Sequence, residues 1–208
     1  MKILAIGAHA DDVELACGGS LLKWTREGHQ ITIYIATDSA YSAPDGTPVR
    51  SSEAAAREAA ASAQLIGAKL IIDSFKCFKI SFSEPLNARL VSLINEERPE
   101  LVITHWDGDT HPDHQAVGKA TLHSARHIPS LLMYMSNWYI GARQFDGRFF
   151  VDISETLDEK LDLIALFNSE NDRTSGEWVQ YARHRAAVLG KQLGILYAEA
   201  FYAVKYLK

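Results

Sequence analysis

Length, composition and charge are those of an ordinary globular protein: 208 residues, 47% hydrophobic, 23% charged, with a formal net charge of −5. This length suffices for one well-buried domain, and the apolar runs are too short to span a bilayer. Mixed charges without a Lys/Arg cluster argue against a nucleic-acid partner, and no secretory signal opens the sequence. We therefore expect a cytoplasmic protein that acts on a small molecule, with Cys17 and Cys77 reduced.

The first part of the chain alternates between strand and helix patterns. The apolar residues 3–7 predict a buried strand, and a helix with apolar positions within residues 15–24 follows, ended by Gly28. Residues 31–35 alternate as a second strand, and the polar residues 38–47 form a loop beyond its carboxyl end. This loop is expected on the same side of the sheet as the residues that follow the first strand.

The next helix is predicted to start from a proline signal. Thr47 is the expected N-cap, Pro48 occupies the first helical position, and an alanine-rich helix runs over residues 49–65 to Gly67. This boundary places Arg50 in the first helical turn.

The remaining chain continues the alternation. Its predicted elements are one or two strands supplied by residues 70–72 and 75–82 together, strands at 101–104, 131–135 and 149–153, helices at 85–98 and 113–127, and two late helices opened by Ser154 and Ser175. Repeated strand–helix units indicate an α/β fold: a single Rossmann-like domain over residues 1–208, with a mostly parallel sheet and helices on both faces.

Two polar motifs follow buried strands, the first directly and the second after a short loop. The first contains His9, Asp11 and Asp12, and the second contains His111, Asp113 and His114. Open α/β sheets bind ligands at the carboxyl ends of their strands, so both motifs are expected at one site.

The residue types in these motifs suit a catalytic metal ion. Zinc in such sites takes three protein ligands and leaves one position for water, and His9, Asp12 and His114 could supply the three. Asp11, between two of them, would remain free as a general base. His111 could donate to an oxyanion, and Asp113 could orient that imidazole and keep it charged.

Simpler interpretations exist for each residue alone. A histidine at a strand end is often only a hydrogen-bonded polar residue, and aspartates there can cap the following helix. Gly18-Gly19 lacks the rest of a phosphate-binding pattern, so we assign it to close packing. The remaining histidines are expected in surface or packing roles, with His105 left open. Because a cluster of His and Asp follows each of two buried strands, one shared metal site explains them better than two independent coincidences do.

Three further residues are candidates for substrate contact. Trp106 and Asp109 share the loop after the strand at 101–104 and could line a polar pocket. Arg50 could grip an anionic or carbonyl group, or it could form surface ion pairs with Glu53 and Arg57 at helical spacing.

Together the motifs resemble those of the PIG-L/LmbE-like family of zinc-dependent de-N-acetylases. The family pattern A-H-P-D-D-x-E, followed by a glycine pair, is similar to Ala8-His9-Ala10-Asp11-Asp12-Val13-Glu14 with Gly18-Gly19. The second pattern, H-x-D-H, is matched by His111-Pro112-Asp113-His114. Ala10 stands where the family has proline, a change that loosens the loop but removes no ligand.

The resemblance implies a role for each motif residue: one zinc ion on His9, Asp12 and His114, Asp11 as general base, His111 as oxyanion or amine partner held by Asp113, and Arg50 as a substrate-contacting arginine. It also implies an N-acetylated amino sugar as substrate, hydrolysed to acetate and free amine. A zinc amidase of another acyl or thiol-conjugate amide, or a metal- or sugar-binding module without turnover, are the alternatives. The loops at 38–47 and 132–148 would discriminate between substrates, and a homo-oligomer stays open.

Overall fold

The computed structural model describes residues 1–207 as alternating strands and helices. In chain order the elements are β1 Lys2–Gly7, α1 Asp12–Arg26, β2 Gln30–Thr37, β3 Tyr41–Ser42, β4 Pro48–Arg50, α2 Ser52–Ile66, β5 Lys69–Phe75, α3 Glu84–Glu97, β6 Leu101–His105, α4 Pro112–Ser124, β7 Ser130–Tyr134, β8 Phe149–Asp152, α5 Leu157–Ala165, α6 Asn168–Arg173, α7 Glu177–Leu193 and β9 Ala198–Lys205. No helix of this described chain combines the length and apolarity that a membrane span requires.

The main sheet has seven strands in the order β5-β2-β1-β6-β7-β9-β8. The first five are parallel to one another, whereas β9 pairs antiparallel with both β7 and β8. Because β1 and β6 are parallel neighbours, their carboxyl ends lie side by side, and both polar motifs begin there. The predicted α/β class with a mostly parallel sheet is confirmed.

Side-chain alternation along the central strands builds a core on each face of the sheet. Ile3 and Ala5 of β1 pack in the cluster formed with α1, α2, α5 and α7, whereas Leu4 and Ile6 pack in the cluster formed with α3 and α4. Strands that are buried on both faces read as continuous apolar runs, which is why β1 was visible in the sequence. Helices cover both faces, as expected.

Three predicted boundaries were wrong. Pro48–Arg50 form β4, a short strand paired with β3, and Ser51 is the N-cap of α2, accepting a hydrogen bond from the Ala54 amide at 3.1 Å. Proline fits an edge strand as well as a first helical turn, so its signal was ambiguous. The helices expected from Ser154 and Ser175 begin at Leu157 and Glu177, with the unpredicted α6 between them. Of the one or two strands expected within residues 70–82, the structure has one, β5.

The start of β9 supports α1 through a buried carboxylate. Glu199 is 3% exposed, and its carboxylate accepts hydrogen bonds from the Gly19 amide at 3.0 Å and the Ser20 amide at 2.7 Å. Lys160 of α5 pairs with the same carboxylate at 2.5 Å. Since α1 departs from helical geometry at Cys17, Glu199 caps the part of α1 that restarts after this kink. A Cβ on Gly19 would meet Ile153 at 3.0 Å, which agrees with close packing there.

Candidate metal centre and active site

Three predicted ligand residues converge where β1 and β6 end. His9 Nδ1 lies 3.3 Å from Asp12 Oδ2, His114 Nε2 lies 3.1 Å from Asp12 Oδ1, and the two nitrogens are 3.3 Å apart. A tetrahedral zinc ion with bonds of about 2.0–2.1 Å separates its ligand atoms by about 3.3 Å. The donor set and its spacing therefore fit a zinc-type cation.

The opposite nitrogen of each histidine contacts a buried carboxylate. His9 Nε2 lies 3.0 Å from Asp113 Oδ2, and His114 Nδ1 lies 3.2 Å from Asp109 Oδ2. A carboxylate that accepts one ring N–H orients the imidazole and leaves a lone pair on the other nitrogen, the arrangement that metal-binding histidines use. The hydrogen bond to Asp113 thus prepares the His9 ring to present a bare Nδ1, and Asp109 lies beside the nitrogen of His114 that faces away from Asp12.

These contacts change two predicted roles. Asp113 was expected to orient His111 through its carboxylate, but that carboxylate bonds to His9 and, at 2.7 Å, to the Phe78 amide. Asp109 was expected to contact substrate, but it is 3% exposed and instead accepts hydrogen bonds from the His111 amide and the Asn137 side chain. The spacing placed both aspartates at the site but did not indicate which ring each would face.

Trp106 does not have its predicted role either. Its side chain is buried and packs against Phe145, with ring centroids 5.5 Å apart, and Arg143 lies over its ring at 5.3 Å. It does not line the cavity above the metal ligands. Trp106 is therefore a packing residue of the loop, and its prediction as a substrate contact was wrong.

Asp11 sits beside the ligands in a strained and buried position. Its φ of +123° is a backbone conformation that L-residues rarely adopt, at a cost of order 1–3 kcal/mol. Burial raises the pKa of its carboxyl to about 8, although Arg50 opposes that rise from 2.7 Å. A carboxylate whose pKa lies near neutrality is suited to taking up and releasing a proton.

Arg50 holds this carboxylate and is not a surface residue. It is 5% exposed, and its Nη1 donates to the Ala10 carbonyl at 2.9 Å as well as to Asp11. Its Nη2 donates at 2.8 Å to Glu58, which in turn accepts from the Ser169 amide. The suggested surface pairs with helical neighbours were wrong, because Arg50 precedes α2. Its guanidinium orients Asp11 from the wall of the cavity.

The other two histidines of this site, His105 and His111, are neutral. Burial and the adjacent His114 lower the pKa of His105 to about 4, and its Nε2 accepts the Ala8 amide at 3.0 Å. Burial, with the charges of His114 and His9, lowers the pKa of His111 to about 4 as well. His111 Nδ1 accepts the Asp113 amide at 3.2 Å, so its proton is on Nε2. His111 is thus a neutral donor rather than the charged one expected.

The ligands open into a cavity of about 690 Å³. Its walls include five aromatic side chains from four segments of the chain: Tyr41, Phe78, Trp138, Tyr139 and Trp178. Tyr41 lies in the loop predicted on this side of the sheet, and two others lie in the segment 132–148. Phe78 and Trp178 were missed, because one was assigned to a strand and the other to an ordinary helix face.

The protonation of the ligands predicts how stability depends on pH. Burial alone lowers the pKa of each ligand histidine, but Asp113 and Asp12 raise that of His9 well above its usual range, and Asp12 and Asp109 raise that of His114 to about 9. Raised histidine pKa values stabilise the fold fully below about 6.5, and this contribution is lost as pH rises through the folded value.

We therefore expect the Tm of metal-free protein to fall between about pH 6.5 and 9, a fall that the raised pKa of Asp11 reinforces up to about pH 8. Metal binds the deprotonated rings, so its affinity should rise over the same interval and the Tm of the loaded protein should not share the fall. Thermal unfolding of both forms across this range tests the prediction. A metal-free Tm that rises with pH would contradict it.

Asp113→Asn is expected to weaken metal binding about 10- to 100-fold, because His9 Nε2 would lose its carboxylate partner. Competition with a chromophoric chelator measures this affinity. Asp107→Asn is the matched control, because Asp107 lies in the loop between β6 and α4 but its carboxylate pairs with Arg143. If Asp113→Asn keeps full metal affinity but loses turnover, Asp113 acts as the partner of His111 rather than of His9.

Comparison with known proteins identifies the family of this chain. The family model for PIG-L, GlcNAc-PI de-N-acetylase, matches residues 4–125. The diacetylchitobiose deacetylase of Thermococcus kodakarensis is 29% identical over 218 residues, covering 95% of this chain and 81% of that protein.

Solved structures share the fold at lower identity. The N,N'-diacetylchitobiose deacetylase of Pyrococcus horikoshii is 20% identical with a TM-score of 0.84, covering 98% of this chain and 83% of that one. GalB, the 4-carboxy-2-hydroxymuconate hydratase of Pseudomonas putida, is 17% identical with a TM-score of 0.77, covering 100% and 97%. Since a hydratase has this fold too, fold likeness alone does not identify the reaction. The family match covers more than half of the sequence, including both motifs, and the chain therefore belongs to the PIG-L family of de-N-acetylases.

Proposed function

We propose that this hydrolytic N-deacetylase removes the acetyl group from an N-acetylated amino sugar, using one zinc ion held by His9, Asp12 and His114. The observation that carries the proposal is that the two histidine nitrogens lie 3.3 Å from each other and 3.1–3.3 Å from the two oxygens of Asp12, beside the buried carboxylate of Asp11. Relatives in Thermococcus and Pyrococcus are deacetylases of diacetylchitobiose, which supports an acetylated sugar as substrate.

Zinc at this position would supply Lewis acidity, lowering the pKa of water to about 7 and polarising a carbonyl group. Asp113 and Asp109 keep the two histidines oriented for it. The Ser136 hydroxyl donates to Asp12 Oδ1 at 3.1 Å, and the His9 amide donates to Asp12 Oδ2 at 2.8 Å, so both oxygens of the third ligand are held in place.

The protein groups would then divide the proton transfers. Asp11 takes a proton from the attacking water as the new carbon–oxygen bond forms, and it returns a proton to the amine as the carbon–nitrogen bond breaks. Arg50 keeps the Asp11 carboxylate aimed into the cavity at 2.7 Å. His111, neutral and carrying its proton on Nε2, donates to the oxygen that becomes negative during attack.

The test is amine release from a panel of N-acetylated amino sugars in free, glycosidic and nucleotide-linked forms, with N-acyl thiol conjugates and simple acetamides alongside. Protein of measured zinc content is assayed before and after a chelator, and after zinc is restored. We expect chelator-sensitive release from at least one sugar, recovered with zinc. Turnover of other amides without any sugar would assign the amidase instead, and zinc-loaded protein inert on the whole panel would reject hydrolysis.

A further inference from the structure

Phe78 occupies a backbone position that does not suit its side chain. It is the third residue of the turn 76–79, which is closed by the Lys79 amide on the Lys76 carbonyl at 3.1 Å, and its φ is +61°. Glycine adopts this left-handed region without strain, whereas a residue with a Cβ does not. The ring is also 61% exposed, so core packing does not explain it either. Strain kept at such a position indicates a functional requirement.

The turn 76–79 places the Phe78 ring at the active site. The Phe78 amide donates to the buried Asp113 at 2.7 Å, which fixes the backbone beside the metal ligands. The ring lies 5.1 Å from that of His111, centroid to centroid, and Tyr41 meets it edge to face at 6.3 Å. Phe78 therefore presents an exposed aromatic surface next to the group that donates to the substrate oxygen.

We infer that Phe78 is the platform on which the pyranose ring of the substrate stacks, an inference that rests on the proposed function. The face of an aromatic ring is electronegative, and the C–H face of a sugar ring is weakly electropositive and apolar, so the two attract. A sugar on this platform would hold its acetamide beside His111 and Asp11. Phe78 would thus select cyclic acetamides over acyclic ones, which the metal ligands alone do not distinguish.

The experiment is a binding titration of zinc-loaded protein with the methyl glycoside of glucosamine and, as an acyclic amine, with ethanolamine. Phe78→Gly removes the ring and the strain together and is expected to raise the Kd for the glycoside about fivefold. The Kd for ethanolamine should change less than about twofold, because the metal-centre contacts stay. Phe78→Tyr keeps the aromatic face and should bind the glycoside as the original protein does.

Two matched controls separate the ring from the strain. Arg98→Gly relieves a left-handed residue, at φ +50°, away from the cavity, and Phe82→Ala removes an exposed aromatic outside it. Neither should change glycoside binding. The inference is overturned if Phe78→Gly binds the glycoside unchanged, if it loses both amines equally, or if the original protein binds no glycoside. Because binding is measured without turnover, a failed deacetylation assay bears on the proposed function alone.

Discussion

Asp11→Asn is expected to lower kcat by about 10²- to 10⁴-fold while the protein still binds one zinc ion. Asn keeps the shape of the side chain but cannot accept a proton, so the loss would fall on proton transfer. In the proposed site Asp11 does not bind the metal, because the carboxylate that contacts both histidines belongs to Asp12. Steady-state kinetics together with elemental analysis of the variant measures both quantities.

Asp38→Asn is the matched control for this variant. Asp38 also follows β2 at the same edge of the sheet, but its carboxylate faces the exposed Lys76 and does not line the main cavity. Its activity should match that of the original protein. If Asp11→Asn retains kcat within about tenfold, the general base is elsewhere and the mechanism is wrong.

The second large effect is expected for His114→Ala, which removes one of the three proposed metal ligands. Outer partners of such histidines already contribute about 10- to 100-fold to metal affinity, so loss of the ligand itself should exceed that and abolish chelator-sensitive turnover. Metal content after dialysis and amine release on the same sample measure the two losses. His123→Ala, on the same helix α4 but outside the cavity, should keep both.

Stoichiometric metal in His114→Ala would require another ligand set. The ligand atoms of His9, His111 and Asp113 also lie within 4.8 Å of one another and would be the next candidates. Loss of turnover with full metal content would then mean that His114 orients substrate rather than metal.

Sequence reasoning succeeded where local pattern and chemistry coincide. β1 and β6 are buried on both faces and read as apolar runs, and parallel neighbours place the motifs that follow them together. His9, Asp12 and His114 were therefore predictable as a cluster. That they hold zinc stays a proposal.

The same reasoning failed where the outcome depends on side-chain direction. Sequence spacing indicates that Asp109 and Asp113 are near the histidines, but not which ring nitrogen each carboxylate meets. Arg50 shows the effect of a small boundary error: starting α2 three residues too early put a buried cation on a helix surface. Phe78 was hidden because a tight turn, not a periodic element, positions it.

The link between Glu199 and α1 has a consequence for how the chain folds during synthesis. Both motifs of the proposed metal site are complete once residue 114 has been made, but the amides of residues 19 and 20 bond to a residue that lies about 180 positions later. Domains fold as units when their chain is available, so the nascent protein carries its ligands before the helix that follows them is capped. A chain shortened before β9 would lose this cap and the strand that pairs with β7 and β8, so we expect it to aggregate rather than to complete the fold.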